Sequence, residues 1–64
     1  MTVGKLFERL ENGETVTVEA TDSLFNAMRI LMDSNYEKAA IGVNIVNGRA
    51  TFTPQGPFIK KLKN

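Results

Sequence analysis

Residues 21–35, TDSLFNAMRILMDSN, give the strongest structural signal in this sequence and predict an amphipathic helix. An apolar stripe recurs at helical spacing and comprises Leu24, Ala27, Met28 and Leu31, with Phe25, Ile30 and Met32 on its flanks. Three candidate N-caps precede it: Thr21, Asp22 and Ser23. So broad a stripe is typical of a helix that lies on a sheet. We interpret the two methionines as core residues, since that helical spacing is typical of packing positions.

Two further elements are predicted before this helix. Residues 3–12, VGKLFERLEN, carry apolar residues at positions i, i+3, i+4 and i+7, which is one face of a helix. Thr2 is its candidate cap, and Asn12-Gly13 is its candidate stop signal. Residues 14–20, ETVTVEA, alternate between apolar and polar side chains, and this pattern predicts a half-buried strand.

After the central helix, residues 41–53 predict a β-hairpin. Asn47-Gly48 between two apolar runs is the signature of a two-residue type I′ turn. Counting from this turn gives four cross-strand pairs: Val46 with Arg49, Ile45 with Ala50, Asn44 with Thr51, and Val43 with Phe52. Residues 36–40 are expected to be a link, with the Tyr36 hydroxyl in water.

The last residues predict a turn and a short helix. Pro54-Gln55-Gly56-Pro57 has the composition of a turn. Phe58 and Leu62 lie on one helical face, and the segment is expected either to dock on the core through them or to fray. The predicted order is therefore α-β-α-β-β-α. The simplest architecture is one α+β domain over residues 1–64, with a small three-stranded mixed sheet and the helices packed on one face.

Composition excludes several classes of function. The chain has 64 residues, no cysteine, no histidine and a formal net charge of +1. No apolar run approaches the ~20 residues that cross a bilayer, and no signal peptide is recognisable. No acid, base and nucleophile converge, so we expect no enzyme, no metal and no cofactor. We expect a cytoplasmic protein that does not insert into a membrane.

A chain this short is marginally stable alone, and a partner chain is the remaining means of stabilising it. We therefore expect a homo-oligomer or a protein partner, with a compact monomer as the alternative. The polar face of the predicted sheet is flat enough to receive such a partner. The candidate partner-binding residues are Asn44, Arg49, Thr51, Thr53, Lys60, Lys61 and Lys63.

Nearly the whole chain resembles a single cystathionine-β-synthase (CBS) motif. The matching segments are VGKLFERL, TVTVEATDSLFNAMRILMDSNYEKAAI, NGRATFTP and PFIKKL. They place Thr15–Val18, Ser23, Ala27, Gly48 and Phe58–Leu62 where the family has comparable elements. The resemblance implies paired motifs, hence a dimer, that sense an adenine nucleotide. Residues 40–41 and 51–55 depart from the family pattern, and the acidic residue that commonly binds ribose has no equivalent.

These observations lead to one main functional hypothesis and two alternatives. The main hypothesis is a non-enzymatic interaction or regulatory protein that self-associates and binds or inhibits a larger macromolecular partner, through the polar sheet face, an edge strand or the basic tail. The first alternative is a CBS-like adenine-nucleotide sensor acting as a dimer. The second is a nucleic-acid binder that uses Arg49 and the basic tail, although three lysines at a chain end are more often solubilising.

Overall fold

The computed structural model describes residues 1–62, in which two helices and three strands follow one another. Their bounds are α1 Val3–Glu11, β1 Val16–Glu19, α2 Asp22–Asn35, β2 Tyr36–Val46 and β3 Arg49–Lys60. This is a small α+β fold with a three-stranded open sheet. The predicted fold class is confirmed, as is the order of the first five elements.

Both helices begin at the threonine caps that the sequence offers. The hydroxyl oxygen of Thr2 accepts a hydrogen bond from the Lys5 amide at 3.2 Å. The hydroxyl oxygen of Thr21 accepts one from the Leu24 amide at 3.1 Å. These bonds satisfy amides that have no partner within the helix. Helix α1 ends before Gly13, whose φ of +87° is readily adopted only by glycine.

The strand order is β1-β3-β2, and both ladders are antiparallel. The predicted mixed sheet is therefore wrong. The crossover through α2 does make β1 and β2 run in the same direction, but β3 lies between them. Strand β3 takes the central place because its core-facing side chains, Ala50 and Phe52, are only 0% and 1% exposed. They lie opposite Val18 and Val16 of β1, so a continuous apolar surface forms under the helices.

The hairpin is confirmed in its register and in its turn. All four predicted cross-strand pairs are present. Asn47 and Gly48 both have positive φ values, 52° and 74°, as a type I′ turn requires. The register places Ile41, Val43 and Ile45 on the same face of the sheet as Ala50 and Phe52, which is the face that the helices cover.

The predicted C-terminal turn and helix are wrong, because β3 continues to Lys60. The residues Gln55, Gly56 and Pro57 lie opposite the single residue Ala40, so the proline-rich segment forms a bulge within the ladder. Prolines are tolerated in sheets at bulges and at positions where no ladder bond is lost. Phe58 then packs its ring edge-on to Phe7, with centroids 6.5 Å apart, and this contact holds the chain extended.

The predicted link over residues 36–40 is also wrong, since β2 begins directly where α2 ends. Tyr36 is not at the rim: it is 8% exposed, and its hydroxyl donates a hydrogen bond to Glu11. Leu62, which was expected to dock on the core, is 91% exposed.

The core lies between the helices and one face of the sheet. Its buried members come from every element, and they are Leu6, Phe7, Leu10, Val16, Met28, Tyr36, Ala50 and Phe52. Phe25 and Leu31 of α2 are partly buried against this cluster. The apolar stripe of the central helix therefore faces the core, as the sequence predicts.

Met28→Asp should unfold the protein. Met28 is 6% exposed, and an unpaired charge at such a site costs about 3–5 kcal/mol. A chain of this length has a total stability of about 3–10 kcal/mol. Circular dichroism should show loss of the cooperative thermal transition. Asn26→Asp is the matched control, because Asn26 is an exposed residue of the same helix and should tolerate the charge. A Met28→Asp protein that melts like the wild type would contradict the packing of α2.

Gly48→Val should destabilise the hairpin through the backbone alone. No atom lies within 4 Å of a Cβ placed at Gly48, but its φ is +74°. The left-handed conformation costs a branched residue about 1–2 kcal/mol. Thermal denaturation should show a melting temperature several degrees lower, whereas Gly48→Asn should be close to wild type since asparagine tolerates this conformation. Equal losses in both variants would indicate a different turn.

Candidate functional site

Four of the predicted partner-binding residues share the face of the sheet that points away from the helices. This outer face carries Asn44, Arg49, Thr51 and Thr53, whose positions follow from the alternation along β2 and β3. Thr51 pairs with Thr17 of β1, and their hydroxyl oxygens are 3.0 Å apart. The outer face is thus polar and accessible, and its role in binding a partner stays a prediction.

The structure places the predicted lysines elsewhere. Lys60 and Lys61 lie at the far end of β3, next to the ends of α1 and α2. The Lys60 ammonium is 4.0 Å from a carboxylate oxygen of Glu11, and Lys61 donates a hydrogen bond to the backbone carbonyl of Asp33. Lys63 lies outside the described residues. The predicted set therefore does not form one surface.

A groove of about 350 Å³ with a mixed polar and apolar lining lies at this far end, beside Tyr36 and the two lysines. Burial raises the pKa of the Tyr36 phenol to about 12, with further contributions from its hydrogen bond to Glu11 and from the charges of Glu11 and Glu8. The phenol therefore stays protonated at neutral pH and is a poor base or nucleophile. It connects the end of α1 to the start of β2, which is a structural role.

A different surface is formed by the free edge of the sheet along β2. The amide of Ala20 donates to the carbonyl of Gly48 at 2.8 Å, which fixes this pair as hydrogen-bonded. Hydrogen-bonded and non-bonded pairs alternate in an antiparallel ladder. Ala50 and Phe52 therefore direct their backbone groups to β1, and the neighbouring residues of β3 direct theirs to β2.

Within β2 the same alternation identifies the backbone groups that point away from the sheet. Gly42, Asn44 and Val46 are bonded to β3, so the amides and carbonyls of Ile41, Val43 and Ile45 point outward. In the described residues no backbone hydrogen bond from another element reaches these three positions. These outward-pointing groups belong to residues 39–46, and we call this segment the β2 edge.

The side chains of the β2 edge are apolar and poorly covered. Val43 and Ile45 lie on the helix side of the sheet, yet they are 54% and 53% exposed. The two helices cover β1, β3 and the inner part of β2, and they do not reach this outer margin. The β2 edge contains no charged residue. Isolated sheet edges normally carry charges or proline that prevent pairing with another chain.

An apolar groove of about 300 Å³ runs beside this edge, between α2 and β2. Its floor and walls are mostly apolar, and the lining residues are Phe25, Met28, Arg29, Met32, Asp33, Ala39, Ile41, Val43 and Phe52. Arg29 and Asp33 supply the only charges of this lining. The groove is therefore suited to apolar side chains that arrive from beyond the β2 edge.

Sequence analysis names an edge strand as a possible binding surface but does not identify it as β2, because that depends on strand order. The alternation of Ile41, Val43 and Ile45 predicts a core-facing row, and a central strand would bury such a row completely. Only the placement of β3 in the middle leaves β2 at the margin. The sequence carried no distinguishing signal, because the uncharged run 39–48 of β2 and its turn is matched by an equally long uncharged run, 50–59, in the central strand.

Comparison with protein-family models, with curated proteins and with solved structures finds no significant match to this chain. The resemblance to a CBS motif therefore stays a prediction, and the segment Phe58–Leu62 does not form the closing helix that it implied. Neither helix of residues 1–62 has the length and apolar character needed to cross a membrane. The same residues contain no group of three or more potential metal-ligating side chains.

Titration of Tyr36 should report its buried environment directly. The folded-state pKa of about 12 lies above the ordinary tyrosine pKa of 10.0, so the fold favours the protonated phenol. The stabilisation that results from this raised pKa is fully present below pH 10 and is lost as the pH rises through 12. Tyr36 is the only tyrosine and the chain has no tryptophan, so tyrosinate absorbance follows this residue alone.

Tyr36→Phe is the matched variant for this titration. It should lower the free energy of unfolding at neutral pH by about 1 kcal/mol, since one hydrogen bond to a carboxylate is lost. The free energy of unfolding of Tyr36→Phe should also fall less at alkaline pH than that of the wild type, because the variant has no phenol to ionise. A wild-type titration midpoint at the ordinary tyrosine value would contradict the Tyr36–Glu11 contact.

Proposed function

We propose that this chain is a non-catalytic interaction protein that binds an extended segment of a protein partner along the β2 edge. The observation that carries the proposal is the coincidence of two features at Ile41, Val43 and Ile45. Their backbone groups point outward, and their apolar side chains are incompletely covered. Strand addition uses both features at once.

The backbone supplies the affinity in this mode of recognition. An extended segment laid against β2 satisfies the free amides and carbonyls of the β2 edge with its own. Sheet edges of this length and composition are otherwise prone to unspecific pairing, which natural proteins avoid with charges. The absence of charge over residues 39–46 supports an edge that is kept open for a partner.

The side chains supply the selectivity. Alternate residues of an added strand point to the helix side, where they meet Val43, Ile45 and the apolar groove. The preferred segment therefore has an apolar residue at every second position. The residues between them point to the outer face, next to Asn44, where polar side chains are favoured. The preferred partner segment is thus extended, alternating and uncharged.

This mode of binding is compatible with a regulatory or inhibitory role, because an occupied segment of the partner is withheld from its other contacts. The nucleic-acid hypothesis has less support, since Lys60 and Lys61 are directed to groups of their own chain. The outer face remains an alternative protein-binding surface, and the experiment below separates it from the β2 edge.

A capped synthetic peptide of about six residues, alternating valine and threonine, tests the proposal; its length matches the straight part of the edge. NMR hydrogen exchange should show that the amides of Ile41, Val43 and Ile45 become protected when the peptide is added. Protection should fail with a control peptide that carries proline at its centre, because that peptide lacks the required amide. Changes confined to Thr51 and Thr53 would instead assign binding to the outer face.

A pair of variants at one position isolates the backbone contribution. Val43→Pro removes an outward amide that β3 does not use, and it should weaken peptide binding at least about tenfold. Val43→Thr keeps the amide and the branched shape, and it should bind nearly as well as the wild type. Equal binding by both variants, measured by calorimetry, would rule out strand addition.

A further inference from the structure

We infer that the partner at the β2 edge is a second copy of this chain, joined through antiparallel pairing of β2 with β2 around Val43. This inference rests on the proposed function and specifies the occupant of the edge. The product is a two-fold symmetric dimer with a continuous six-stranded sheet. In that sheet the strand order is β1-β3-β2 in one copy followed by β2-β3-β1 in the other.

The β2 edge is complementary to itself in this register. With Val43 opposite Val43 of the second copy, Ile41 lies opposite Ile45, and Ile45 lies opposite Ile41. All three positions direct their backbone groups outward, so each pair exchanges two hydrogen bonds, about six in total. No shift or bulge is needed to match donors with acceptors over these residues.

The side chains match as well as the backbone does. The three apolar residues of each copy fall on the helix side of the joined sheet and form one cluster of isoleucine and valine across the seam. Val43 and Ile41 also line the apolar groove, so side chains of the second copy extend over its open margin. On the outer face, Gly42 lies opposite Asn44, and the side chain of Gln55 occupies the space beside Gly42.

Electrostatics present little obstacle to this pairing. The β2 edge has no charged residue, and the formal net charge of each copy is only +1. Repulsion between two copies is therefore small. The other free edge of the sheet fits a second copy less well, because β1 has only four residues and includes Glu19.

Light scattering and analytical ultracentrifugation of the full chain test the inference. The wild type should be a dimer whose dissociation constant rises by about a hundredfold or more in Ile45→Lys, since two isoleucines per dimer lose their burial. Ile30→Lys is the matched control: Ile30 is 59% exposed on α2, lies outside the groove, and should leave the dimer intact. Both variants should keep the wild-type circular dichroism spectrum.

Crosslinking tests the register. The chain has no cysteine, so Val43→Cys introduces one thiol per copy. Residues in a hydrogen-bonded antiparallel pair have Cα atoms about 5.5 Å apart, which is within the range of a disulfide. Val43→Cys should form a covalent dimer under mild oxidation, and Ile30→Cys should not. Failure of Val43→Cys to crosslink would overturn the Val43-centred pairing.

The outcomes separate this inference from the proposed function. A monomer at every concentration that still binds the alternating peptide overturns the dimer and leaves strand addition standing. A monomer that does not bind the peptide overturns both. A dimer that survives Ile45→Lys has its interface elsewhere and overturns the inference, whereas a dimer that the alternating peptide dissociates supports both.

Discussion

The burial of Phe52 at the centre of the sheet is the contact on which the fold depends. Its ring lies 6.0 Å from that of Phe25 on α2, and its backbone lies between Val16 of β1 and Val43 of β2. One side chain thus joins the helical layer to all three strands. Burying an aromatic ring contributes more than any other single residue type in so small a domain. Phe7, which is equally buried, forms a second aromatic cluster with Tyr36 and Phe58.

The size of the two layers explains why one margin stays open. The two helices have nine and fourteen residues, and the two strands of the hairpin have eleven and twelve. Because a strand is about twice as long per residue as a helix, the helices are too short to cover the whole hairpin. The hairpin dominates the long dimension of the molecule, which extends 42 Å along its principal axis. Packing is most complete around Ala50 and Phe52 of β3, and it is least complete over Val43 and Ile45 of β2. The apolar side chains left there are a consequence of the architecture, and pairing with another strand is the means by which a sheet relieves such exposure.

The parts of the fold that depend on local chemistry could be predicted from sequence. The threonine caps, the Asn47-Gly48 turn and the register beside it follow from hydrogen bonding within a few residues. The strand order could not be predicted, because it depends on which core-facing row, Ala50-Phe52 or Val43-Ile45, is buried most completely. The C-terminal strand was missed because proline and glycine normally end a ladder, and distant contacts of Phe58 with Phe7 and Tyr36 hold this segment on the core.

The bulge at Gln55–Pro57 has a consequence for assembly size. A bulge bends its strand and strengthens the local twist, so the straight part of the hairpin stops at Ile41. The length left for a neighbour is about 20 Å, from Ile41 to Val46. Beyond this span the edge of β2 is irregular. Once the span is paired, the only other free edge of the sheet in the described residues is that of β1, which has four residues. The proline-glycine insertion thereby limits the length of regular edge that a neighbouring strand could pair with.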